Sequence, residues 1–252
     1  MRVRRRWWNA PAPMPSACPV DTIDLQRIAR IEDGNWWYRE RREMLSAELL
    51  RFSVPGTGVD IGAGSGSCCR VLMRHGWRAT GIDLSPEAVV LARASGVEAY
   101  EGDARYLPLP PCEYDLALAL DVLEHVEDDA RAAAEIVRVL RPGGTALVSV
   151  PCDMALWSAH DVSLGRVRRY TRRTLAELLE GAGLVLERVW SRGVLHRPFL
   201  RLLRNRTARG EDLAPLHPLA NEALRLSAAL ERRLPVSSWP GAWLFARARR
   251  PG

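Results

Sequence analysis

The stretch VDIGAGSGS (Val59–Ser67) decides the fold of this chain. Its apolar start predicts a buried strand. Its three glycines predict a tight turn, because glycine reaches positive φ at little cost and lets a ligand lie against the backbone. Asp83 follows about twenty residues later, at the end of the next predicted strand, where a carboxylate can accept hydrogen bonds from ribose hydroxyls. The stretch therefore predicts a nucleoside-binding turn between a strand and a helix.

The glycine spacing distinguishes two kinds of nucleoside cofactor. In the dinucleotide fingerprint GxGxxG the third glycine stands one position later, where this chain has Ser67. The shorter spacing favours a nucleoside without a pyrophosphate. Asp60 points the same way, since a carboxylate repels a pyrophosphate but stabilises a cationic amino group. A nicotinamide-dependent oxidoreductase is therefore disfavoured.

Short apolar strands alternate with helices after Pro55, which predicts a mostly parallel sheet with helices on both faces. Ser85 and Pro86 predict the start of one helix. Asp128 predicts the start of another, and the run Arg141–Gly143 predicts its end. The predicted strands are Val59–Gly62, Ala79–Leu84, Val97–Glu101, Tyr114–Leu120, Thr145–Val150, Leu184–Trp190 and Ala242–Ala248.

The chain is predicted to form one domain preceded by an arm. Residues 1–22 lack a period that buries a face and predict a flexible arm, and residues 23–252 predict a single domain. The patch Trp36–Arg39 is expected between two N-terminal helices. A helical insertion over residues 195–236 is expected to cap the acceptor pocket. A homodimer face or a contact with a membrane surface is the alternative role for this insertion. The expected parts are N-terminal helices over 23–53, a cofactor-binding core over 54–190, a helical insertion over 195–236 and a last strand over 240–250.

All 36 basic residues are arginine, which excludes lysine chemistry. Without lysine there is no amine base and no Schiff base. Arginine-only usage is typical of a GC-rich, bacterial coding bias. The arginines are dispersed rather than gathered with aromatic residues, so the formal charge of +6 does not indicate a nucleic acid partner.

Other sites and locations are limited by the same composition. The five cysteines contain no CxxC pair, which predicts neither a zinc site nor a disulfide framework, and no other metal site is indicated. No apolar run approaches the roughly 18 residues of a membrane span. The opening residues continue proline-rich rather than apolar, unlike a secretory signal. We therefore expect a cytoplasmic protein.

Five motifs resemble, in order and spacing, those of class I S-adenosylmethionine-dependent methyltransferases. They are VDIGAGSG (59–66), GIDLS (81–85), EGDA (101–104), YDLALALDVLEHV (114–126) and LRPGG (140–144). The fourth is similar to the motif of the subfamily that includes ubiquinone-type methyltransferases, and the resemblance covers roughly residues 36–248. It implies a Rossmann-like α/β sheet, mostly parallel with an antiparallel last strand, and S-adenosylmethionine as the cofactor.

The resemblance also implies which residues hold the cofactor. Asp60 would hold the amino end of the methionine moiety, Asp83 the ribose hydroxyls and Asp103 the adenine amino group. Asp121 would border the transferring methyl group, and Arg39 would pair with the methionine carboxylate. A turn or capping role for Asp103 and Asp121 remains an alternative. The implied cofactor residues are Asp60, Gly62, Gly64, Gly66, Asp83, Leu84, Asp103, Ala104, Asp121, Val122 and Arg39.

WWYRERRE (36–43) is similar to an N-terminal element that closes over the cofactor in this subfamily, and HDVSLGRVRRYT (160–171) resembles the loop after the fifth strand that lines the acceptor pocket. His125 and His160 are the candidates to remove a proton from the acceptor, since histidine titrates near neutrality. A structural histidine, tryptophans packed on the sheet and a solvated basic loop remain alternatives. The implied acceptor contacts are Trp37, Tyr38, Asp161, Arg169 and Tyr170.

These observations predict methyl transfer from S-adenosylmethionine to an oxygen, nitrogen or carbon atom of a small-molecule acceptor. The arginine-rich segment 160–171 favours an anionic acceptor. Two other functions remain open: a nucleoside-binding protein without turnover, and a methyltransferase that acts on nucleic acid or protein.

Overall fold

The computed structural model describes Glu32, residues 34–198 and residues 217–252. Over these residues, seven strands form one sheet in the order β3-β2-β1-β4-β5-β7-β6. β7 is antiparallel to both of its neighbours, and the first five strands are parallel to one another. The strands are β1 (Thr57–Ile61), β2 (Arg78–Asp83), β3 (Glu98–Glu101), β4 (Tyr114–Leu120), β5 (Leu140–Pro151), β6 (Val185–Arg192) and β7 (Trp243–Arg249).

Seven α-helices accompany the sheet in the described part of the chain. They are α1 (Trp36–Leu49), α2 (Ser67–Arg74), α3 (Pro86–Ala94), α4 (Asp129–Val139), α5 (Ala159–Ser163), α6 (Arg172–Gly181) and α7 (Pro218–Glu231). Short 3-10 turns at Leu123–His125 and Met154–Leu156 follow β4 and β5. These turns begin the loops at the carboxyl ends of the central strands.

Strand β4 shows how the sequence places the core. Its three leucines, Leu116, Leu118 and Leu120, share one face and pack with apolar side chains of α1 and α2. Ala117 and Ala119 face the other way and pack with α4 and α6. A strand covered on both faces has a continuous apolar sequence, as this one does. Because β4 is parallel to its neighbour β1, the carboxyl ends of the two strands lie at the same edge of the sheet.

The predicted parallel sheet and the antiparallel last strand are confirmed. Two adjoining boundaries differ from the prediction: the helix α4 ends at Val139, before the predicted run Arg141–Gly143, and β5 begins at Leu140 instead of Thr145. Pro142 explains this difference, because proline disfavours the helical conformation in the residue before it. Leu140 is already extended and pairs with β4.

Helix α1 begins within the aromatic patch. The side chain of Asn35 caps it by accepting a hydrogen bond from the Trp37 amide at 2.9 Å. The patch Trp36–Arg39 therefore forms the first turn of α1, and the expectation that it lies between two helices is wrong. The arm over 1–22 lies outside the described residues, and so does the part of the expected N-terminal helices from 23 to 31.

Helix α7 belongs to the insertion predicted over 195–236, of which residues 199–216 lie outside the described residues. It packs on the start of α1. Asn221 accepts from the Trp36 amide at 2.9 Å and donates to the Gly34 carbonyl at 2.8 Å. Arg232 Nη2 lies 2.7 Å from Glu43 Oε2. The contacts hold the start of α1 in place, whereas the roles of the insertion as a cap, a homodimer face or a membrane contact stay predictions.

Candidate functional site

The glycine turn between β1 and α2 leaves open backbone at the carboxyl end of the sheet. The amide of Gly62 donates to the carbonyl of Ile82 at 2.7 Å, which holds the turn against β2. Gly62, Gly64 and Gly66 all have positive φ. A Cβ at Gly62 would lie 2.5 Å from Val122, whereas one at Gly64 would meet nothing within 4 Å. A ligand therefore has room to lie against the backbone of Gly64.

Asp83 ends β2 beside this turn, and two backbone amides fix its carboxylate. The amide of Gly64 donates to Oδ2 at 2.8 Å, and the amide of Ser85 donates to Oδ1 at 2.9 Å. Burial raises the pKa of Asp83, and the amide hydrogen bonds oppose that rise. A carboxylate has about four lone-pair sites, so each oxygen can still accept a hydrogen bond from a hydroxyl group. Leu84 follows at the rim, where 42% of its surface is exposed.

Asp60 lies beneath the turn, against α2. It is buried, and the thiol of Cys69 donates to its Oδ2 at 3.7 Å. Burial raises the pKa of Asp60 to about 7, although the positive charge of Arg41 opposes the rise. A cationic group bound above the turn would favour the ionised carboxylate.

Asp121 stands at the end of β4 with a positive φ of 61°. The Ser149 carbonyl accepts a hydrogen bond from the Asp121 amide, and the Ser149 hydroxyl donates to Asp121 Oδ1, both at 2.9 Å. The indole N–H of Trp37 donates to Oδ2 at 3.3 Å. A non-glycine residue in this conformation stores strain of about 1 to 3 kcal/mol, and such strain is frequent at functional sites.

Helix α1 brings Arg41, and not Arg39, to the strand ends. Arg41 Nη1 lies 3.5 Å from Asp121 Oδ2 and 3.4 Å from the carbonyl oxygen of Leu120. Arg39 is exposed and lines a cleft of about 340 Å³ between α1 and α2, so its position does not support its selection from the sequence. Trp37 and Arg41 are four residues apart and share one face of the helix, whereas Arg39 falls nearly opposite.

Trp37 and Tyr38 combine packing with a position beside these charges. The ring of Trp37 stacks on Trp243 of β7 with centroids 3.9 Å apart, so the indole packs on the sheet while its N–H reaches the end of β4. The guanidinium of Arg41 lies 5.1 Å from the centre of the Tyr38 ring. Burial raises the pKa of the Tyr38 hydroxyl, and the charge of Arg41 opposes the rise.

Asp103 faces its own turn after β3. Arg105 binds it with Nη2 2.6 Å from Oδ2 and donates its amide to Oδ1 at 2.8 Å. Burial opposes ionisation, but the hydrogen bonds from Arg105 prevail and lower the pKa of Asp103. Ala104 lies half-buried between them. An adenine amino group would therefore share this carboxylate with Arg105.

Three residues predicted to contact the acceptor instead form hydrogen bonds and ion pairs with other residues of the protein. Asp161 and Arg169 form a buried ion pair with Nη2 2.7 Å from Oδ1, and Arg169 Nη1 donates to the Cys152 carbonyl at 3.0 Å. The hydroxyl of Tyr170 is buried 2.7 Å from Asp129 Oδ2, and burial raises its pKa. The expectation of substrate contact at Asp161, Arg169 and Tyr170 is not supported, because these side chains hold the loop before α6.

The two predicted histidines differ in their surroundings. The Nδ1 atom of His125 lies 3.3 Å from the Gly165 carbonyl oxygen; partial burial of the ring, with about a third of the side chain still exposed, and the nearby charge of Arg166 lower its pKa. Its neighbour Glu124 is fully buried, and among the described residues neither carboxylate oxygen has a hydrogen-bond partner; burial raises its pKa to about 8. His160 lies half-buried on α5.

Sequence reasoning missed two residues at this site, Arg41 and Glu32. Arg41 follows from the face that it shares with Trp37. Glu32 accepts hydrogen bonds from the hydroxyls of Ser65 and Ser67 across the glycine turn. The sequence around Glu32 contains no pattern that predicts those contacts. Within the described ranges, no three His, Cys, Asp or Glu side chains are grouped to hold a metal ion. No helix of that part of the chain has the length and apolar character needed to cross a membrane.

Strand order, the open glycine turn and acidic residues at the ends of β2 and β4 define a Rossmann-like protein that binds a nucleoside cofactor. Residues 59–148 match a family model described as a methyltransferase domain. A probable S-adenosylmethionine-dependent methyltransferase from Mycolicibacterium smegmatis is 32% identical over 178 residues, which cover 69% of this chain and 68% of that protein. The chain belongs to the S-adenosylmethionine-dependent methyltransferase family, and it transfers a methyl group from S-adenosylmethionine.

One further relative and one solved structure are also similar to this chain. The ubiquinone biosynthesis O-methyltransferase of Xanthomonas campestris is 28% identical, over 57% of this chain and 55% of that protein. An S-adenosylmethionine-dependent methyltransferase structure from Mesorhizobium loti has a TM-score of 0.60 and 24% identity, and covers 87% of this chain and 100% of that one. The structural likeness at this identity supports the fold.

Proposed function

We propose that this methyltransferase acts on a small-molecule acceptor bound beside Asp121, beneath the start of α1. The observation that carries the proposal is the set of contacts joining α1 to the end of β4: Trp37 and Arg41 both reach Asp121. They place a cation, an indole and a carboxylate where a cofactor and an acceptor can meet.

The described residues fit the chemistry of S-adenosylmethionine. Asp83 retains acceptor sites for the two ribose hydroxyls, and the backbone at Gly64 is open. Arg41 replaces Arg39 as the partner that we propose for the methionine carboxylate. Asp60 and Asp121 supply negative charge for the amino group. We keep Gly62, Gly66, Leu84, Asp103, Ala104 and Val122 as proposed cofactor contacts.

The chain itself supplies position, orientation and a dry site. The bound sulfonium supplies an activated methyl group, so the protein needs no covalent intermediate. Holding two reactants in the reacting geometry is worth about 7 to 11 kcal/mol. Trp37 and Tyr38 would cover the acceptor from α1, and the loop held by Arg169 would cover it from the other side.

His125 is the residue that we propose to accept a proton from an oxygen or nitrogen acceptor. Its lowered pKa keeps the imidazole neutral at neutral pH, so that it can act as a base. With Nδ1 directed at the Gly165 carbonyl, Nε2 is the acceptor nitrogen in the corresponding tautomer, and it lies 3.9 Å from Glu124 Oε1. We retain His160 as the second candidate.

Contacts of the arginines support a small acceptor over a nucleic acid. Arg166 and Arg169 pair with Asp161 inside the loop, so the acceptor that we propose carries no obligatory negative charge. Many other arginines are also paired with carboxylates rather than aligned along a groove; examples are Arg41, Arg105, Arg138, Arg168, Arg232 and Arg247. The Xanthomonas relative is likewise named for a biosynthetic step on a small molecule. On the sequence alone we also propose a cytoplasmic location.

The experiment is a product assay with phenols, amines and carboxylic acids as acceptors. Production of S-adenosylhomocysteine would be measured by mass spectrometry for the wild type and for Asp121→Ala. We expect turnover on at least one acceptor, lost in the variant. Cofactor binding without turnover on any small acceptor, combined with methylation of a nucleic acid or protein substrate, would contradict the proposal.

A further inference from the structure

Glu32 places a carboxylate on the glycine turn without belonging to the sheet or to α1. Its side chain is buried, with 4% of the residue exposed. The hydroxyls of Ser65 and Ser67 donate to its two carboxylate oxygens, and Arg41 Nη2 lies 3.7 Å from Oε1. Two hydroxyl donors and a guanidinium form a small site built for a carboxylate.

The same guanidinium faces the place proposed for the methionine end of the cofactor. Its Nη1 atom contacts Asp121 and the Leu120 carbonyl, while Nη2 is directed at Glu32. The methionine carboxylate has the same charge and the same two acceptor oxygens as a glutamate side chain. Because like charges repel strongly away from bulk water, the two carboxylates cannot both occupy this site favourably.

We propose that Glu32 is an internal ligand that fills the methionine-carboxylate site of the cofactor-free protein and leaves it when the cofactor binds. This inference rests on the proposed assignment of Arg41 to the methionine end. Glu32 thereby lowers the affinity for every ligand that carries the amino acid carboxylate, and it closes the site when no cofactor is present.

The surroundings of Glu32 allow its carboxylate to leave without moving α1. The helix is anchored by contacts that begin after Glu32, through Gly34 and Trp36 to Asn221 of α7. Arg42 Nη1 donates to the backbone carbonyl of Glu32 at 3.1 Å, which holds the main chain independently of the side chain. Release therefore requires a side-chain rotation, the loss of the two serine hydrogen bonds and the loss of the ion pair with Arg41.

Two ligands distinguish competition at the carboxylate site from a general effect on nucleoside binding. S-adenosylhomocysteine carries the amino acid carboxylate, whereas 5′-methylthioadenosine shares its adenosine and sulfur but lacks the amino acid. Glu32→Gln removes the negative charge at nearly constant volume, and Glu32→Ala removes the group. Glu43→Ala is the matched control, since Glu43 lies on α1 and contacts Arg232 rather than the site.

Dissociation constants would be measured by isothermal titration, with folding of each variant checked by circular dichroism. We expect both Glu32 variants to bind S-adenosylhomocysteine about five to ten times more tightly than the wild type, because a competing state is removed. Affinity for 5′-methylthioadenosine and the affinities of Glu43→Ala should change less than about twofold.

Weaker binding of S-adenosylhomocysteine by Glu32→Gln would overturn the inference and make Glu32 a cofactor ligand. An equal change for both nucleosides, or no change for either, would overturn it as well. A wild-type protein that binds neither nucleoside would instead refute the proposed cofactor site, and the inference with it.

Discussion

Replacing Arg169 by alanine separates a structural arginine from a substrate-binding one. The side chain of Arg169 is 1% exposed, and its guanidinium binds Asp161 through Nε and Nη2 at 2.7 to 3.0 Å. Its Nη1 atom donates to the Cys152 carbonyl at 3.0 Å. The substitution would remove this guanidinium from the buried Asp161 carboxylate, which also has Arg166 Nη1 3.1 Å from its Oδ1.

The magnitude follows from the burial of the pair. Removing one partner of a buried ion pair costs about 3 to 5 kcal/mol, because the other charge stays buried without full compensation. For a chain of this size, 1 kcal/mol corresponds to roughly 2 to 4 °C in Tm. We therefore expect Arg169→Ala to lower Tm by roughly 6 to 20 °C. The double variant Asp161→Asn, Arg169→Met should recover part of the loss, because it leaves no unpaired charge between these two positions.

The assay is urea unfolding followed by circular dichroism, with acceptor KM measured below the transition. Arg173→Ala is the matched control, since Arg173 lies on α6 and pairs with Glu177 at the surface. A loss below about 1 kcal/mol for Arg169→Ala, together with a raised KM for the acceptor, would refute the reasoning. That result would restore Arg169 as an acceptor contact.

Three further predictions concern charge and protonation. Arg41→Ala should weaken cofactor binding about 10- to 100-fold, since a hydrogen bond to a charged group is worth roughly 1.5 to 3 kcal/mol. The dissociation constant of Arg39→Ala, measured by titration, should stay within about twofold of the wild-type value. A larger loss in Arg39→Ala than in Arg41→Ala would contradict the assignment of Arg41 to the cofactor. His125→Gln should lower kcat on an oxygen or nitrogen acceptor and remove the acidic limb of the pH profile of kcat. In the wild type this limb should lie below the ordinary histidine pKa, because partial burial lowers the pKa of His125. An unchanged pH profile in the variant would exclude His125 as the base. Glu124 has a folded-state pKa raised to about 8, so its contribution to stability is present below the unfolded pKa of about 4.5 and is lost as pH rises through 8. Glu124→Gln should therefore be less sensitive to pH than the wild type in denaturant titrations, by a few kcal/mol between about pH 5 and 8, and parallel pH curves would contradict the assigned burial cost.

The sequence predicts the sheet because its signals are local. The glycine turn at 59–67, the capping pair Ser85-Pro86 and the continuous apolar run of β4 each depend on neighbours in the chain. The start of β5 was predicted too late because the pairing of Leu140 with β4, two residues before the helix stop at Pro142, has no local signal.

The site is predicted less completely because its contacts are distant in sequence. Arg41, which we propose in place of Arg39, was not selected because the patch Trp36–Arg39 was expected between two helices, and Trp37 and Arg41 share a face only when both lie in α1. The pairing of Asp161 with Arg169 crosses an irregular loop, where no period relates one side chain to the other. Glu32 reaches serines 33 and 35 residues away, and only the folded turn brings them together.

The measurement that tests the central claim most directly is isothermal titration of the wild type and Asp83→Ala with S-adenosylmethionine, S-adenosylhomocysteine and NAD. Glu222→Ala is the control, because that carboxylate lies on the exposed side of α7. We expect the wild type and the control to bind both sulfur nucleosides but not NAD, and we expect Asp83→Ala to lose at least about tenfold in affinity. Binding of NAD, or an unchanged affinity in Asp83→Ala, would contradict the assignment of the ribose to the end of β2.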